Sequence, residues 1–242
     1  MDESRIGAHH KDCKILQFNK DKPERWAIEH ICICASDKYL YCLSNPRYSK
    51  SKGGMTSVES AKLIFEKNEL VKNSVITADT HFISFDMLKY LLESGIKYCI
   101  SVPGTVLQEI YKKSLHVVIK QGRTVAAEFK DYICVTTDSR KKVNIITNIY
   151  NVSSTDEVQK ENARNPLKFY DVHKRKADQF NFLFTKYLSP HCHNKLEGTL
   201  LNGYISIILT NAFLAYCSEE KDPLDHKQFL LSVSKDLLFK YK

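Results

Sequence analysis

Three acids far apart in the chain are the candidates for chemistry. Asp2 precedes Glu3 at the N-terminus, Asp79 follows a short apolar run, and Asp178 lies in a segment with helical spacing. Carboxylates that converge from distant segments can hold a pair of Mg²⁺ ions, which activate an attacking oxygen and stabilise a leaving one in phosphoryl transfer. Residue types alone leave this as one chemistry among several, since a lone acid after a strand is also an ordinary helix cap.

Other familiar sites are not indicated. The sequence has no P-loop, no GxSxG elbow and no zinc ribbon, and the adjacent positions of His191, Cys192 and His193 prevent all three from binding one metal ion. The eight cysteines form no CxxC pair, and several lie in apolar strand-like runs, as reduced thiols do. The N-terminus has no apolar signal region. The net charge of +8 favours a polyanionic partner such as nucleic acid, and it is also a common solubility device.

The elements around Asp79 indicate a mixed α/β sheet. Residues 75–78 predict a strand ending at Asp79, and the apolar spacing of residues 85–92 predicts a helix that stops at Gly95. Ligands of open α/β sheets bind at the carboxyl ends of strands, where this acid lies. Upstream, residues 26–33 and 39–43 predict a hairpin, and Thr56 with Glu59 forms a capping box that opens a helix. A further strand is predicted at residues 96–102.

The second half of the chain changes character twice. Residues 107–150 contain short β runs, and residues 151–165 are polar and indicate a loop. Helices are then predicted at 172–187, at 196–217, and from a cap at Asp222 with Pro223. The uncharged stretch 198–218 is long enough to cross a bilayer, but its Asn, Ser and Thr residues favour a buried core helix.

Ordered motifs over most of the chain resemble the catalytic region of the piggyBac family of DDE transposases. Asp2-Glu3-Ser4 resembles the segment that holds the family's first catalytic acid, and residues 77–84 resemble the T-x-D-N-x-F-T-S segment that holds the second. The remaining matches are Lys22-Pro23-x-Arg25-Trp26, Ala35-Ser36-Asp37 with Tyr39, Tyr170 with Lys174 and Ala177-Asp178, and Asn211-Ala212-Phe213 with Tyr216. No single motif is specific, but their common order is.

The resemblance implies a fold and a division of the chain. The fold is an α/β, ribonuclease-H-like mixed sheet flanked by helices, with a β-rich insertion after the fifth strand and a helical C-terminal part. The implied domains are residues 1–106 as the first part of the catalytic domain, 107–150 as the insertion, and 151–242 as the helical part that completes it.

The resemblance also implies an activity. Asp2, Asp79 and Asp178 would be catalytic and would bind Mg²⁺, or Mn²⁺ in its place, for DNA cleavage and strand transfer at transposon ends with TTAA targets. The implied partners are double-stranded DNA and a second copy of the chain, without a membrane, in the nucleus. The cluster Lys168, His173, Lys174, Arg175 and Lys176 is expected to contact the DNA backbone beside this site.

Departures from the family pattern leave two interpretations open. Arg175-Lys176 replaces a Gly-Gly pair, and Asn181 replaces a further acid, so this position is at most a weak metal ligand. Because Met1 directly precedes Asp2, we expect a short first strand; the family's N-terminal DNA-binding and dimerisation region has no counterpart in this sequence, and a longer product that contains it is left open. The chain is therefore either a transposase-derived enzyme with impaired cleavage or an inactive, domesticated DNA-binding or protein-interaction domain.

Overall fold

The computed structural model describes residues 1–8, 15–22, 25–35, 40–43, 55–67, 74–113, 117–121, 124–129, 132–137, 143–149, 166–187 and 196–240. The predictions for Ser36, Asp37 and Tyr39, for the 151–165 loop and for His191-Cys192-His193 lie outside these residues. Two compact units result. The first comprises Met1–Asp2 and Met55–Arg175, and the second Glu3–Gly54 and Lys176–Lys242. The predicted domain boundaries at 106 and 150 stay a prediction.

Strands and helices alternate between residues 57 and 113, and strands follow one another on either side of this part. The strands are β1 (Asp2–Gly7), β2 (Leu16–Phe18), β3 (Trp26–Cys34), β4 (Leu40–Leu43), β5 (Val75–Ile76), β6 (Lys97–Ser101), β7 (Val117–Gln121), β8 (Thr124–Phe129), β9 (Tyr132–Thr137) and β10 (Val143–Thr147). The helices are α1 (Ser57–Lys67), α2 (Phe85–Glu93), α3 (Gly104–Lys113), α4 (Pro166–Lys186), α5 (Leu196–Glu219) and α6 (His226–Lys240), with a 3₁₀ turn at Thr80–Phe82.

A mixed sheet in the order β5-β6-β10-β9-β8-β7 forms the first unit. β5 and β6 run parallel, with Ile76 opposite Tyr98, and β10 pairs antiparallel with β6, with Ile146 opposite Ile100. The helix α2 connects the two parallel strands, as the βαβ pattern requires. Because β10 completes the open edge of β6, the short strands after residue 107 continue this sheet.

Local capping fixes the helices next to the sheet. The predicted capping box is confirmed, since the Thr56 amide donates to Glu59 Oε2 at 2.6 Å and the Glu59 amide donates to Thr56 Oγ1 at 3.1 Å. The end of α2 is also confirmed, because Gly95 has a φ of +66°. The Gly95 amide donates to the Leu92 carbonyl and the Ile96 amide to the Leu91 carbonyl, each at 3.0 Å, which is a Schellman motif.

A small core in the first unit holds the start of α4 against the sheet. Buried Cys99 and Ile145 pack with Tyr170, and Leu167 and Phe169 pack around them. The Cys99 thiol donates to the carbonyl of Pro166 at 3.6 Å. Burial raises the pKa of Cys99 to about 12, although a hydrogen bond with Thr147 lowers it. The thiol is therefore a packing group, in agreement with the reduced cysteines that we expected.

β3 is the central strand of the second unit. β2 pairs antiparallel with β3, with Leu16 opposite Ile28, and the predicted hairpin is confirmed because β4 pairs antiparallel with the other end of β3. β1 is hydrogen-bonded to β3 as well, and the Ala8 amide donates to the Trp26 carbonyl at 3.1 Å. The first predicted acid thus begins a strand that the rest of this sheet supports.

Helices α4 and α5 supply the core of the second unit. Ile6 and Ile28 of the sheet pack with Phe180 and Phe184 of α4 and with Ile207 of α5. The approach of α5 to β1 is close, because a Cβ atom at Gly203 would lie 2.5 Å from Ile6 Cδ1 and 3.0 Å from both Ile6 Cγ atoms. Glycine is the residue that allows this packing.

Two predicted helix starts are wrong. α4 begins at Pro166 and not at residue 172, since the cluster around Cys99 packs its first turn. α6 begins at His226 and not after Asp222-Pro223. Asp225 is the cap in place of Asp222, because its Oδ1 accepts the Gln228 amide at 2.8 Å and Gln228 Oε1 accepts the Asp225 amide at 3.2 Å. Only Asp225 has a glutamine three residues later.

The apolar helix α5 is buried on one face. Its buried residues are Thr199, Gly203, Ile207, Thr210 and Phe213. We expected a buried core helix, and the other faces of α5 are partly or fully exposed. Within the described part of the chain, α5 is the single helix whose length and composition would allow it to cross a membrane.

Candidate active site

Asp79 lies where the sequence predicts it, three residues beyond β5. It caps the 3₁₀ turn, and its Oδ1 accepts both the Thr80 amide at 2.5 Å and the Thr80 hydroxyl at 3.2 Å. The side chain is exposed. Asp79 is therefore a cap, as a lone acid after a strand can be, and this role is compatible with a binding role, because the capping contacts use one oxygen of an exposed carboxylate.

The carboxyl ends of the two parallel strands meet beside Asp79. The amide of Ser101, the last residue of β6, donates to the Ala78 carbonyl at 3.2 Å. Tyr170 of α4 is 3% exposed and is hydrogen-bonded through its phenol to the Ser101 side chain. Burial, followed by the negative charge of Asp79, raises the pKa of Tyr170 above its usual value, while the hydrogen bond with Ser101 lowers it. The phenol therefore keeps its proton near neutral pH and lies within electrostatic range of Asp79.

Asp2 lies next to the same segment. The amino group of Met1 donates to the carbonyl of Thr77 at 2.7 Å, in a buried contact. Thr77 is two residues before Asp79, so the structure brings the first two predicted acids to neighbouring stretches of the first unit. The side chain of Asp2 is half-buried and has contacts of its own.

Asp178 and Asn181 belong to the second unit. Asp178 is exposed on α4, and Asn181 follows one turn later. Asn181 Nδ2 donates to the Glu3 carbonyl of β1 at 2.8 Å, and Asn181 Oδ1 is buried without a hydrogen-bond partner among the described residues. The Asn181 amide thus ties α4 to β1 through its Nδ2 group and leaves its oxygen buried and unsatisfied.

The predicted basic cluster lies on α4, and its members have different surroundings. Lys174 pairs with Asp171 at 2.8 Å and lies 4.8 Å from the centre of the Tyr170 ring. His173 stacks on Phe169 at 4.1 Å, and its Nδ1 lies 2.9 Å from the Phe169 carbonyl oxygen.

Of the other three members of the cluster, two are more open. Lys168 and Arg175 are exposed, while Lys176 is half-buried. Lys168 and Arg175 are seven residues apart, which places them on the same helix face. This face is the part of the cluster best placed to meet a polyanion.

The chemistry of the acids suits a hard divalent cation, whose preferred ligands are carboxylate oxygens. The described ranges contain no group of three His, Cys, Asp or Glu side chains positioned to hold one ion together. Asp79 therefore offers such an ion a suitable donor atom and not an assembled ligand set.

Ser101 is the site residue that sequence reasoning missed. It ends a strand that runs parallel to the strand before Asp79, and this position was the available signal. The sequence motif includes Tyr170 but assigns it no role, because its contact with Ser101 joins residues far apart in the sequence. The structure thus adds a buried hydroxyl pair to the predicted acid.

Comparisons with known proteins agree on a family and on a fold. The model of the family described as transposase IS4, of the DDE type, matches residues 1–213. Seven chains from solved structures match, among them piggyBac transposase in the cryo-EM structure of its synaptic complex with hairpin DNA. That chain is 19% identical with a TM-score of 0.74, and the match covers 96% of this chain and 50% of that one. This chain therefore spans about half the length of that relative. No curated protein matches by sequence.

Proposed function

The chain belongs to the DDE transposase family described as transposase IS4, as a piggyBac-like region, and we propose that it acts on double-stranded DNA by metal-dependent cleavage and strand transfer, at a reduced rate. The observation that carries the proposal is the exposed carboxylate of Asp79 at the carboxyl edge of the parallel strands, beside Tyr170 and Ser101. This is the location that α/β sheets use for phosphate and metal chemistry.

Members of the DDE family use a divalent metal. We propose Mg²⁺, with Mn²⁺ as a substitute, and Asp2, Asp79 and Asp178 as its ligands. A bound cation would neutralise the charge that develops on phosphodiester oxygens. The chain's own groups orient the acid and supply a hydrogen bond. Thr80 fixes the rotamer of Asp79, and the protonated Tyr170 phenol can donate a hydrogen bond to an oxygen of the DNA backbone or to a water molecule.

Asn181 is the reason to expect a reduced rate. A neutral amide contributes no charge to a cation site, and here its NH₂ group is already committed to the Glu3 carbonyl. Arg175 and Lys176 add bulk and charge where the related motif has glycines. We propose accordingly that the metal site is weak, so that Mn²⁺, which tolerates poorer ligand sets, supports more cleavage than Mg²⁺.

Cleavage is tested with the purified chain and a labelled transposon-end duplex in Mg²⁺ or Mn²⁺. The decisive variant is Asp79→Asn, which keeps the shape of the cap and removes the charge. Asp222→Asn is the matched control, because Asp222 is also exposed and lies outside the site. Nicking that is lost in Asp79→Asn and kept in Asp222→Asn supports the proposal. Equal nicking by both variants would contradict it.

DNA binding without cleavage is the second candidate function, and the face of Lys168 and Arg175 favours it. Each phosphate contact steepens the dependence of log affinity on log salt by about 0.9. We expect Arg175→Ala to flatten this slope by about one contact. Lys89→Ala is the control, because Lys89 is paired with Glu93 at 3.7 Å on the exposed surface of α2. An unchanged slope in Arg175→Ala would remove this face from the DNA interface.

Three finer expectations belong to the same proposal. TTAA targets would show as a four-base signature when integration products are sequenced. A nuclear location would show in cells that express a fluorescently tagged chain. A homodimer is proposed as the form that acts on paired DNA ends, without a membrane.

A further inference from the structure

His226 is a buried histidine to which the proposed chemistry assigns no role. Its side chain lies among aromatic rings, and its own ring stacks on Phe213 of α5 with the centroids 4.4 Å apart and an angle of 20° between the planes. The ring of Tyr187, which follows α4, meets it edge-on at 4.9 Å. Both ring nitrogens are buried and have no hydrogen-bond partner among the described residues. The imidazole is therefore held in an apolar place, away from water.

This ring is the main attachment of α6 to the rest of its unit. The structure describes every residue of α6, and of these His226 alone is buried. Phe229 is half-buried, with its ring 5.3 Å from that of Tyr216 on α5. Just before the helix, the Leu224 amide donates to the Tyr216 hydroxyl at 3.2 Å. Residues 234–240 are exposed, so α6 is held on α5 through its N-terminal half.

Protonation of His226 is unfavourable while α6 is docked. An imidazolium has two N–H donors, and neither nitrogen has an acceptor within the described part of the chain. Aromatic faces attract a cation, but they do not replace the hydrogen bonds that both donors make in water.

The charged groups around His226 come from two of the three elements that meet at its ring. Lys186 ends α4 and adds positive charge, with its Nζ 5.2 Å from the centre of the Tyr187 ring. Asp225 precedes α6, and α5 contributes the uncharged ring of Phe213. Burial and then Lys186 lower the pKa of His226 from 6.5, while Asp225 opposes them. The docked helix thus favours the neutral imidazole.

We propose that protonation of His226 releases α6 from α5, so that this helix is docked at neutral pH and free in mildly acidic solution. In the released form the ring regains water, and both of its N–H groups regain hydrogen bonds. The released form binds the proton first when the pH falls below 6.5, the ordinary value for histidine, so docking is complete above this pH and weakens below it. One pH unit changes the ratio of docked to released chains by at most about tenfold.

Hydrogen–deuterium exchange of the full chain at about pH 7.5 and 5.5 tests the release, after correction for the intrinsic effect of pH on exchange. We expect the amides in the N-terminal half of α6 to exchange about three to ten times faster at the lower pH. The helix α2, which belongs to the other unit, is the internal reference and should not change. Equal exchange of α6 at both pH values would overturn the proposal, and so would a parallel acceleration of α2, which indicates global unfolding.

His226→Phe keeps an aromatic ring at this place and removes the titration, so α6 should stay docked at both pH values. His81→Gln is the matched control, because His81 is an exposed histidine on the 3₁₀ turn of the other unit. This control should respond to pH as the wild type does. A pH response that persists in His226→Phe, or that disappears in both variants, would contradict the assignment to His226.

Two changes of charge distinguish the titration of His226 from a general effect of acid. Lys186→Met removes the cation that opposes protonation, so the pH response of α6 should become smaller. Asp225→Asn removes the acid that favours protonation, so the response should become larger, and asparagine can still accept the Gln228 amide as a cap. A shift in the same direction in both variants would refute the proposal. These assays use no DNA or metal, so their failure is distinct from failure of the proposed catalysis.

Discussion

Replacing Asn181 by aspartate tests whether its position is a damaged cation site. Asn181→Asp removes the donor to the Glu3 carbonyl, which is a 2.8 Å hydrogen bond, and sets a carboxylate against that carbonyl. It also places a second negative charge one helical turn from Asp178. The loss of a part-buried hydrogen bond with an unsatisfied group left behind costs about 2 kcal/mol. For a chain of this size that lowers the melting temperature by about 4 to 8 °C.

A divalent cation should reverse this loss. If Asp178 and the new carboxylate bind Mg²⁺ in the folded state, a concentration about 100-fold above the dissociation constant returns about 2.7 kcal/mol. Thermal melts of Asn181→Asp in EDTA and in Mg²⁺ measure the difference directly. We expect the variant to regain its melting temperature in Mg²⁺ and to nick DNA faster than the wild type.

Asn148→Asp is the control for this experiment. Asn148 Nδ2 donates to the Ile96 carbonyl at 3.0 Å, so the same substitution breaks the same kind of hydrogen bond away from the predicted acids. It should lose similar stability and gain nothing from Mg²⁺. If Asn181→Asp melts at the same temperature with and without the cation, or if both variants respond alike, Asn181 does not stand in a former metal site.

Three further predictions concern packing and pH. Gly203→Ala should lower the free energy of unfolding by about 1 kcal/mol, because ~1–3 kcal/mol of overpacking against Ile6 exceeds the ~1 kcal/mol by which alanine stabilises a helix relative to glycine. Ile6→Val should relieve part of this loss, which a double-mutant cycle of denaturation measurements would show. His226 is 7% exposed between Phe213 and Tyr187, and its pKa is lowered from 6.5 by burial and by Lys186 against the opposing effect of Asp225. Stability should therefore fall as the pH drops below about 6.5, since the unfolded chain then binds the proton first, and His226→Phe should melt at a nearly constant temperature from pH 7 to 5.5. Cys99 should resist a thiol reagent in the native state and react after denaturation, measured by mass spectrometry of the labelled peptide, because burial keeps its thiol protonated.

Local signals predicted Asp79 and its surroundings. An apolar run, a helical repeat and Gly95 lie within about twenty residues of each other, and each acts on its own neighbours. The capping box at Thr56 belongs to the same class. Asp222 shows the limit of such signals, since a cap residue followed by proline was a plausible start until the Gln228 side chain selected Asp225.

Contacts between distant residues could not be predicted. The hydrogen bond between Asn181 and Glu3 joins residues 178 positions apart, and Tyr170 meets Ser101 only because the core around Cys99 fixes the start of α4. No periodicity encodes such pairs. The exposed side of α5 was missed for a related reason, because an uncharged helix has the same composition whether its own chain covers all of it or only one face.

The pairing of β10 with β6 has a consequence for how the chain folds. β6 is a buried strand whose antiparallel neighbour is synthesised some forty residues later, after β7, β8 and β9. Those three strands and β10 are neighbours in the sequence that pair antiparallel, and such pairs form within microseconds, whereas pairing β10 with β6 requires a long loop to close. Until then the unpaired edge of β6 is open to other chains. A chain that stops before residue 143 keeps that edge open, and we expect it to aggregate during synthesis where the longer chain stays in solution.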